Sequence, residues 1–169
     1  DHPYGVANVD VQHVFHDPGV PLGFWRSVGH SQNAFVTEGF VDELAHAAGQ
    51  DPLEFRRKLM KDNPKHLAVL NAVAEKAGWG KPAEKGVFRG LAQHMGYGSY
   101  VAACAEVSVN DKGTLKVHRI VAATDCGHAV NPAQIERQIE GSFAYGLGAS
   151  LFQEITLKDG KVVEENFDS

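Results

Sequence analysis

The spacing of hydrophobic positions changes once along this chain, near Gly86. Before it the period is helical. Between Ser31 and Ala48, the apolar residues Phe35, Val36, Phe40, Val41, Leu44, Ala45 and Ala48 recur three or four apart, and Gly49 is a natural stop. A second helix starts at once. Asp51 can accept the unpaired N–H groups of its first turn, and Pro52 suits the first helical position. Leu53, Phe55, Leu59 and Met60 then point to the core. "HLAVLNAVAEKAGWG" predicts a third helix ending at Gly78. Ahead of all three, residues 6–16 alternate loosely (Val9, Val11, His13, Phe15), which predicts a strand. "DPGVPLG" then breaks it.

After Gly86 the period shortens to two. "GVFRGLAQHM", "GSYVAACAEVSV" and "TLKVHRIVAATD" predict strands, and "NDKG" predicts the turn of a hairpin pairing 99–109 with 114–124. Asn131 and Pro132 open a further helix. That helix carries Gly141, Gly146 and Gly148, each weakening it by up to ~1 kcal/mol relative to alanine. Glycines so placed suggest close approach by another backbone or a ligand. A second hairpin is expected around Asp159-Gly160, with a strand running into "KVVEENFDS". The expected class is α+β: a helical segment, then a hairpin-rich mixed sheet with one further helix. Residues 1–85 and 86–169 form two parts of one domain.

Composition narrows the function more than the fold. Hydrophobic residues make up 43%, enough for a core, and charged residues 22%. A net charge of −5 without a basic patch argues against a nucleic-acid partner. No apolar run approaches the ~20 residues of a membrane span. The start at Asp1 without methionine and the end inside a strand-like run suggest a piece of a larger protein. Cys104 and Cys126 sit in apolar runs and read as two small buried hydrophobes.

The candidate chemistry lies in two stretches. None of the nine histidines makes the helical pair of a zinc site, and no nucleophile elbow or phosphate-binding loop is present. Ser31, beside His30, is better used as a helix cap than as a nucleophile. "PLGFWRSVGHSQNAF" places Arg26 on a glycine-flanked loop before a helix N-terminus, a setting suited to anions and polar heterocycles. On residue physics alone, Phe24 and Trp25 anchoring this loop in the core, with Arg26 paired to a surface carboxylate, is the favoured account. "TDCGHAVNPAQIERQIEG" is a strand–turn–helix junction, equally readable as a ligand-facing element or as a capped helix with a polar outer face.

Taken together, "GFWRSVGHSQNAFVTEGFVDELAHAAGQDPLEFRRKLM" and "YGSYVAACAEVSV…KVHRIVAATDCGHAVNPAQIERQIEGSFAYGLGASLFQE" resemble the molybdopterin-binding subunit of the xanthine dehydrogenase/aldehyde oxidase family, of the isoquinoline 1-oxidoreductase beta-subunit type. The resemblance covers nearly the whole chain. It implies that the loop at 24–29 is a lip of a molybdenum-pterin pocket. It places Arg26 where a backbone N–H approaches the metal, and Gln138 where a glutamine hydrogen-bonds the pterin. Val28 falls where purine-oxidising relatives carry an aromatic, which speaks against a purine substrate. Asp125, Gly127, Asn131 and Gly141 match positions of turn, cap and close packing.

By the same resemblance the chemistry is hydroxylation of an aldehyde or N-heterocycle with water as oxygen source. The cofactor is molybdopterin, in its plain or cytosine dinucleotide form. Electrons leave through [2Fe–2S] clusters on an iron–sulfur partner subunit or domain. The family's catalytic glutamate and an apical Gly-Gln segment are expected outside this chain, so the partners include the rest of the molybdopterin-binding subunit and the isolated chain is expected to be inactive. Compartment stays open between cytoplasm and periplasm. Two rival readings stand beside this one: a non-catalytic subunit-contact module with the same fold, and a metal-independent hydrolase or small-ligand binder.

Overall fold

The computed structural model describes residues 2–165. The class is mixed α+β, as expected. The elements run α1 (His30–Ala47), α2 (Pro52–Leu59), α3 (Pro64–Ala77), β1 (Phe88–Gly96), β2 (Ser99–Val109), β3 (Leu115–Asp125), α4 (Pro132–Leu151), β4 (Leu157–Lys158) and β5 (Lys161–Val162). They form two compact units. One holds residues 1–12 and 24–127, the other 13–23 and 128–169.

In the first unit, β1, β2 and β3 make an antiparallel sheet in that order. Its register sets Leu91, Cys104 and Val121 in one row and Gln93, Ala102 and Ala123 in the next. Successive side chains of a strand point to opposite faces, so these rows share one face. Helix α3 packs on this sheet. Val69, Leu70, Val73, Ala74 and Ala77 meet Leu91, Ala102, Cys104 and Val121 in the core. The helical and hairpin parts of the sequence therefore share one interior.

Local chemistry sets the element ends. Asp51 Oδ1 accepts from the amides of Leu53 at 2.9 Å and Glu54 at 3.0 Å, the expected cap of α2. Its other oxygen accepts from Trp79 Nε1 at 2.9 Å, joining the start of α2 to the end of α3. Gly78 takes φ 69°, which lets the Trp79 amide return to the Ala74 carbonyl at 2.8 Å and close α3. In the β2–β3 hairpin, Gly113 takes φ 80° and Asn110 Oδ1 accepts from the Lys112 and Thr114 amides.

Several expectations give way. Residues 6–16 form no strand, because among the described residues nothing pairs with them, and an unpaired strand leaves its backbone groups to water. Ser31 does not cap α1: the cap position is Gly29, and the Ser31 hydroxyl donates to Gln32 Oε1 at 3.1 Å instead. Cys104 is buried as expected, but Cys126 lies past the end of β3 and is exposed. The helix of 31–48 buries Val41 and Ala45, yet Phe35, Val36, Phe40 and Leu44 stay exposed. The buried stripe instead includes Glu38, which needs a partner inside the unit.

That partner is Arg56, fully buried on α2. Its Nε meets Glu38 Oε2 at 3.1 Å, Nη2 donates to the Glu38 carbonyl at 3.0 Å, and Nη1 pairs with Asp42. Burial works against the guanidinium charge, but the Glu38 and Asp42 carboxylates outweigh it and hold Arg56 above its ordinary range. Glu38 also accepts from the Gln93 amide at 3.0 Å, from Gln93 Nε2 at 3.1 Å and from the Tyr4 hydroxyl. Gln93 Nε2 faces a second acceptor, the Tyr4 oxygen at 3.1 Å, so Gln93 Oε1 faces His66 Nδ1, which must donate. Burial first, then the Glu38 charge, holds the Tyr4 phenol protonated far above its usual range.

In the second unit, α4 starts as expected. The Asn131 side chain accepts from the Gln134 amide at 3.3 Å and Pro132 fills the first turn. The expected second hairpin is present as β4 and β5 around Asp159-Gly160. The strand expected to run through "KVVEENFDS" ends at Val162; residues 166–169 lie outside the described residues. At the α4 glycines Gly141 and Gly146, apart from the helix's own backbone and the chain neighbours, no described residue comes within 4 Å of the position a Cβ would take. At Gly148 the neighbour is only the Gln153 side chain, at 3.4 Å.

Arg56→Ala should destabilise the chain by about 3–5 kcal/mol in urea denaturation, because it strands the Glu38 carboxylate in the interior. A loss below about 1 kcal/mol would show that water solvates Glu38 instead. A thiol reagent should label Cys126 rapidly and Cys104 only on unfolding, since burial raises the Cys104 thiol pKa and shields the sulfur. Equal labelling rates in the folded chain would contradict this.

Candidate cofactor-facing loop

The loop before α1 is built from two linked turns. The Val28 amide donates to the Trp25 carbonyl at 2.9 Å, and the His30 amide donates to the Ser27 carbonyl at 3.0 Å. In the first turn Ser27 takes φ 96°; in the second Val28 takes φ 56° and Gly29 takes φ −88°. Such turn positions ordinarily call for glycine. Serine and a β-branched valine there carry strain of order 1–3 kcal/mol each. The chain holds this shape because its surroundings impose it. Strain of this kind collects where a backbone must be presented in one set position.

The loop presents its side chains outward. Phe24 is 94% exposed and Trp25 46%, so these aromatics do not anchor it in the core, contrary to the account that residue physics alone favours. Arg26 is exposed and Val28 is 52% exposed. The Ser27 hydroxyl is buried and finds no hydrogen-bond partner among the described residues. Immediately behind, α1 begins with no side-chain cap and no acidic residue in its first turn. Its end thus keeps a partial positive charge a few residues from Arg26.

The far side of the loop rests on the β1–β2 turn. The Tyr97 hydroxyl points to the Ser27 carbonyl at 3.5 Å. His30, first residue of α1, meets the Tyr97 ring edge-on at 4.8 Å, and its Nδ1 lies 2.9 Å from His94 Nε2. Burial, followed by the nearby His30, lowers the His94 pKa from the ordinary imidazole value. In the sequence His30 is one of nine histidines without zinc-site spacing and a neighbour of Ser31. Its contacts with His94 and Tyr97 cross more than sixty positions and leave no local signal.

Of the residues singled out from the sequence, Arg26 and Val28 share this loop. Gln138 lies in the other unit, exposed on α4. Asp125 Oδ1 accepts from the Gly127 amide at 3.0 Å, and Gly127 takes φ 80°, so this pair makes the turn that ends β3. Among the described residues no three His, Cys, Asp or Glu side chains are grouped to hold a metal ion. No helix among them is long and apolar enough to cross a membrane.

The sequence profile of the molybdopterin cofactor-binding domain matches residues 37–169. The chain belongs to this family. It is 31% identical over 152 residues to the beta chain of isoquinoline 1-oxidoreductase from Brevundimonas diminuta, covering 88% of this chain and 20% of that protein. It is 31% identical over 183 residues to a nicotinate dehydrogenase subunit from Pseudomonas putida, covering 98% of this chain and 15% of the relative. A third relative, named membrane-bound aldehyde dehydrogenase (pyrroloquinoline-quinone), from Gluconacetobacter polyoxogenes, is 28% identical over 167 residues, covering 87% of this chain and 22% of its own. The chain thus spans about a fifth of the length of the curated relatives it matches. No solved structure matches it.

For a molybdopterin-binding domain, the groups these segments offer are of the right kind. In the first unit the Arg26 guanidinium and the uncapped α1 terminus are hydrogen-bond donor groups, and in the second the exposed Gln138 amide carries both donors and an acceptor. They suit a phosphate-bearing, acceptor-rich pterin better than a bare cation.

Val28→Gly should relieve the left-handed strain and raise stability by about 1 kcal/mol, read as a higher thermal midpoint. A destabilised variant would mean that the Val28 side chain contributes more than the strain costs.

Proposed function

We propose that this chain is a segment of a molybdenum hydroxylase, and that Arg26 on the strained loop and Gln138 on α4 are each cofactor-contacting residues. The observation that carries the reading is the pair of non-glycine residues, Ser27 and Val28, held at positive φ beside Arg26 in a chain of this family. When bound, the cofactor supplies the two-electron oxidation of an aldehyde or of a C–H next to a ring nitrogen, with water as oxygen source. The protein's share is orientation. The 26–29 backbone, Arg26, the α1 terminus and Gln138 would hold the cofactor, offering N–H donors and positive charge to its acceptor-rich pterin and phosphate. Val28 offers a small apolar side chain to the substrate pocket, where purine-oxidising relatives carry an aromatic.

The relatives' names point to N-heterocycles and aldehydes as the substrate class. The general base, the remaining cofactor contacts and the [2Fe–2S] relay come from the rest of the molybdopterin-binding polypeptide and from an iron–sulfur partner. The cofactor's form, plain or cytosine dinucleotide, follows from those contacts. A subunit-contact module with the same fold is the second reading. It draws on α4, which has no buried residue among those described.

Arg26→Ala and Gln138→Ala in the full-length enzyme should each lower bound molybdenum and pterin by roughly tenfold, about 1.4 kcal/mol per lost contact set, measured by metal analysis and pterin fluorescence. Unchanged content in both variants would favour the contact module. The 169-residue chain alone should turn over no aldehyde or N-heterocycle.

A further inference from the structure

The strongest feature left unassigned is the histidine pair at the base of the loop. His30 Nδ1 and His94 Nε2 are 2.9 Å apart, with ring centroids at 5.2 Å and planes at 65°. Gly96 makes room for this, since a Cβ there would stand 3.3 Å from the His30 ring. The Ser27 carbonyl, at one of the two strained residues, accepts the His30 amide and faces the Tyr97 hydroxyl. So the contacts that tie Ser27 and Val28 to the sheet pass through His30 and the β1–β2 turn.

Two imidazoles at this distance share a single proton between the facing nitrogens: one donates, and the other must be bare. When both rings are charged, N–H faces N–H and the bond is lost. Of the groups around the pair, Glu38 on α1 favours a charged His94, His66 on α3 disfavours it, and Tyr97 contributes a ring and a hydroxyl. Burial and His30 prevail over Glu38, so His94 stays neutral to lower pH than a free imidazole. The sign follows. The bond is intact above the ordinary imidazole range and is lost as pH falls through the depressed His94 value.

We propose that His30 and His94 are positioning residues: their hydrogen bond holds the 26–29 loop in its strained form while at least one ring is neutral, and releases it when both are charged. Its consequence for the enzyme rests on the cofactor reading above; the brace itself does not.

The test is to follow backbone amide and imidazole NMR signals of the full chain between about pH 8 and about pH 5, where imidazoles titrate. The Ser27, Val28 and Gly29 amides should shift with the midpoint of the His94 ring. His94→Gln, which keeps a neutral donor and acceptor, should retain the high-pH loop signals and lose their pH response. His94→Ala should show the released loop at every pH. Loop amides that stay still while His94 titrates, or a His94→Ala chain with unchanged loop signals, would overturn the brace. If His94→Ala releases the loop but the full-length His94→Ala enzyme keeps its full molybdenum content, the brace stands and the cofactor reading fails.

Discussion

The first unit depends on a carboxylate taken out of water. Glu38 sits 5% exposed on the inward stripe of α1, where its charge is tolerable only if every oxygen is used. Arg56 from α2, the backbone and side chain of Gln93 from β1, and Tyr4 from the N-terminal segment all converge on it. Each of these groups belongs to a different element. The ion pair therefore does what an apolar contact could not: it specifies which helix face meets which strand position. Gln93 extends the network to His66, so α3 is held to the same point. A network this connected gains from being complete, since any one missing member leaves buried polar atoms unpaired.

The placement of α1 in turn sets the loop before it. His30 is the first residue of that helix, and the strand that supplies Gln93 to Glu38 also supplies His94 to His30. The buried network and the histidine pair are thus adjacent rungs between α1 and β1. This is the physical basis for tolerating Ser27 and Val28 at positive φ. A helix and a strand locked at one point have little freedom to relax at the next, and the strain is carried by the short turn that leads into α1.

The two units use their sequence differently. The first buries part of its hydrophobic residues in one core, from Tyr4 and α1 through β3. In the second, α4 has no buried residue, and Phe152, Ile155, Leu157 and Val162 are exposed. Its local structure rests on caps and turns, from Asn131 at the helix start to Asp159-Gly160 in the hairpin. The family match, over residues 37–169, includes residues of both units.

What the sequence determined by itself was everything that depends on near neighbours. Asp51-Pro52 and Asn131-Pro132 start helices, Gly49 and Gly78 end them, and the turn at Asn110–Gly113 makes the hairpin, because each involves groups within five residues. The period-two run of β2 and β3 was legible for the same reason, and so were the motifs that carry the family. Tertiary structure alone decided the rest. Residues 6–16 alternate like a strand but have no partner to pair with among the described residues, and Ser31 looks like a cap but falls inside the first turn of the helix. Phe35, Phe40 and Leu44 have helical spacing, yet the face turned inward is the one that can bring Glu38 to Arg56. The meeting of His30 with His94 is invisible in sequence because it is a contact across 64 positions, created only when α1 is fastened to β1.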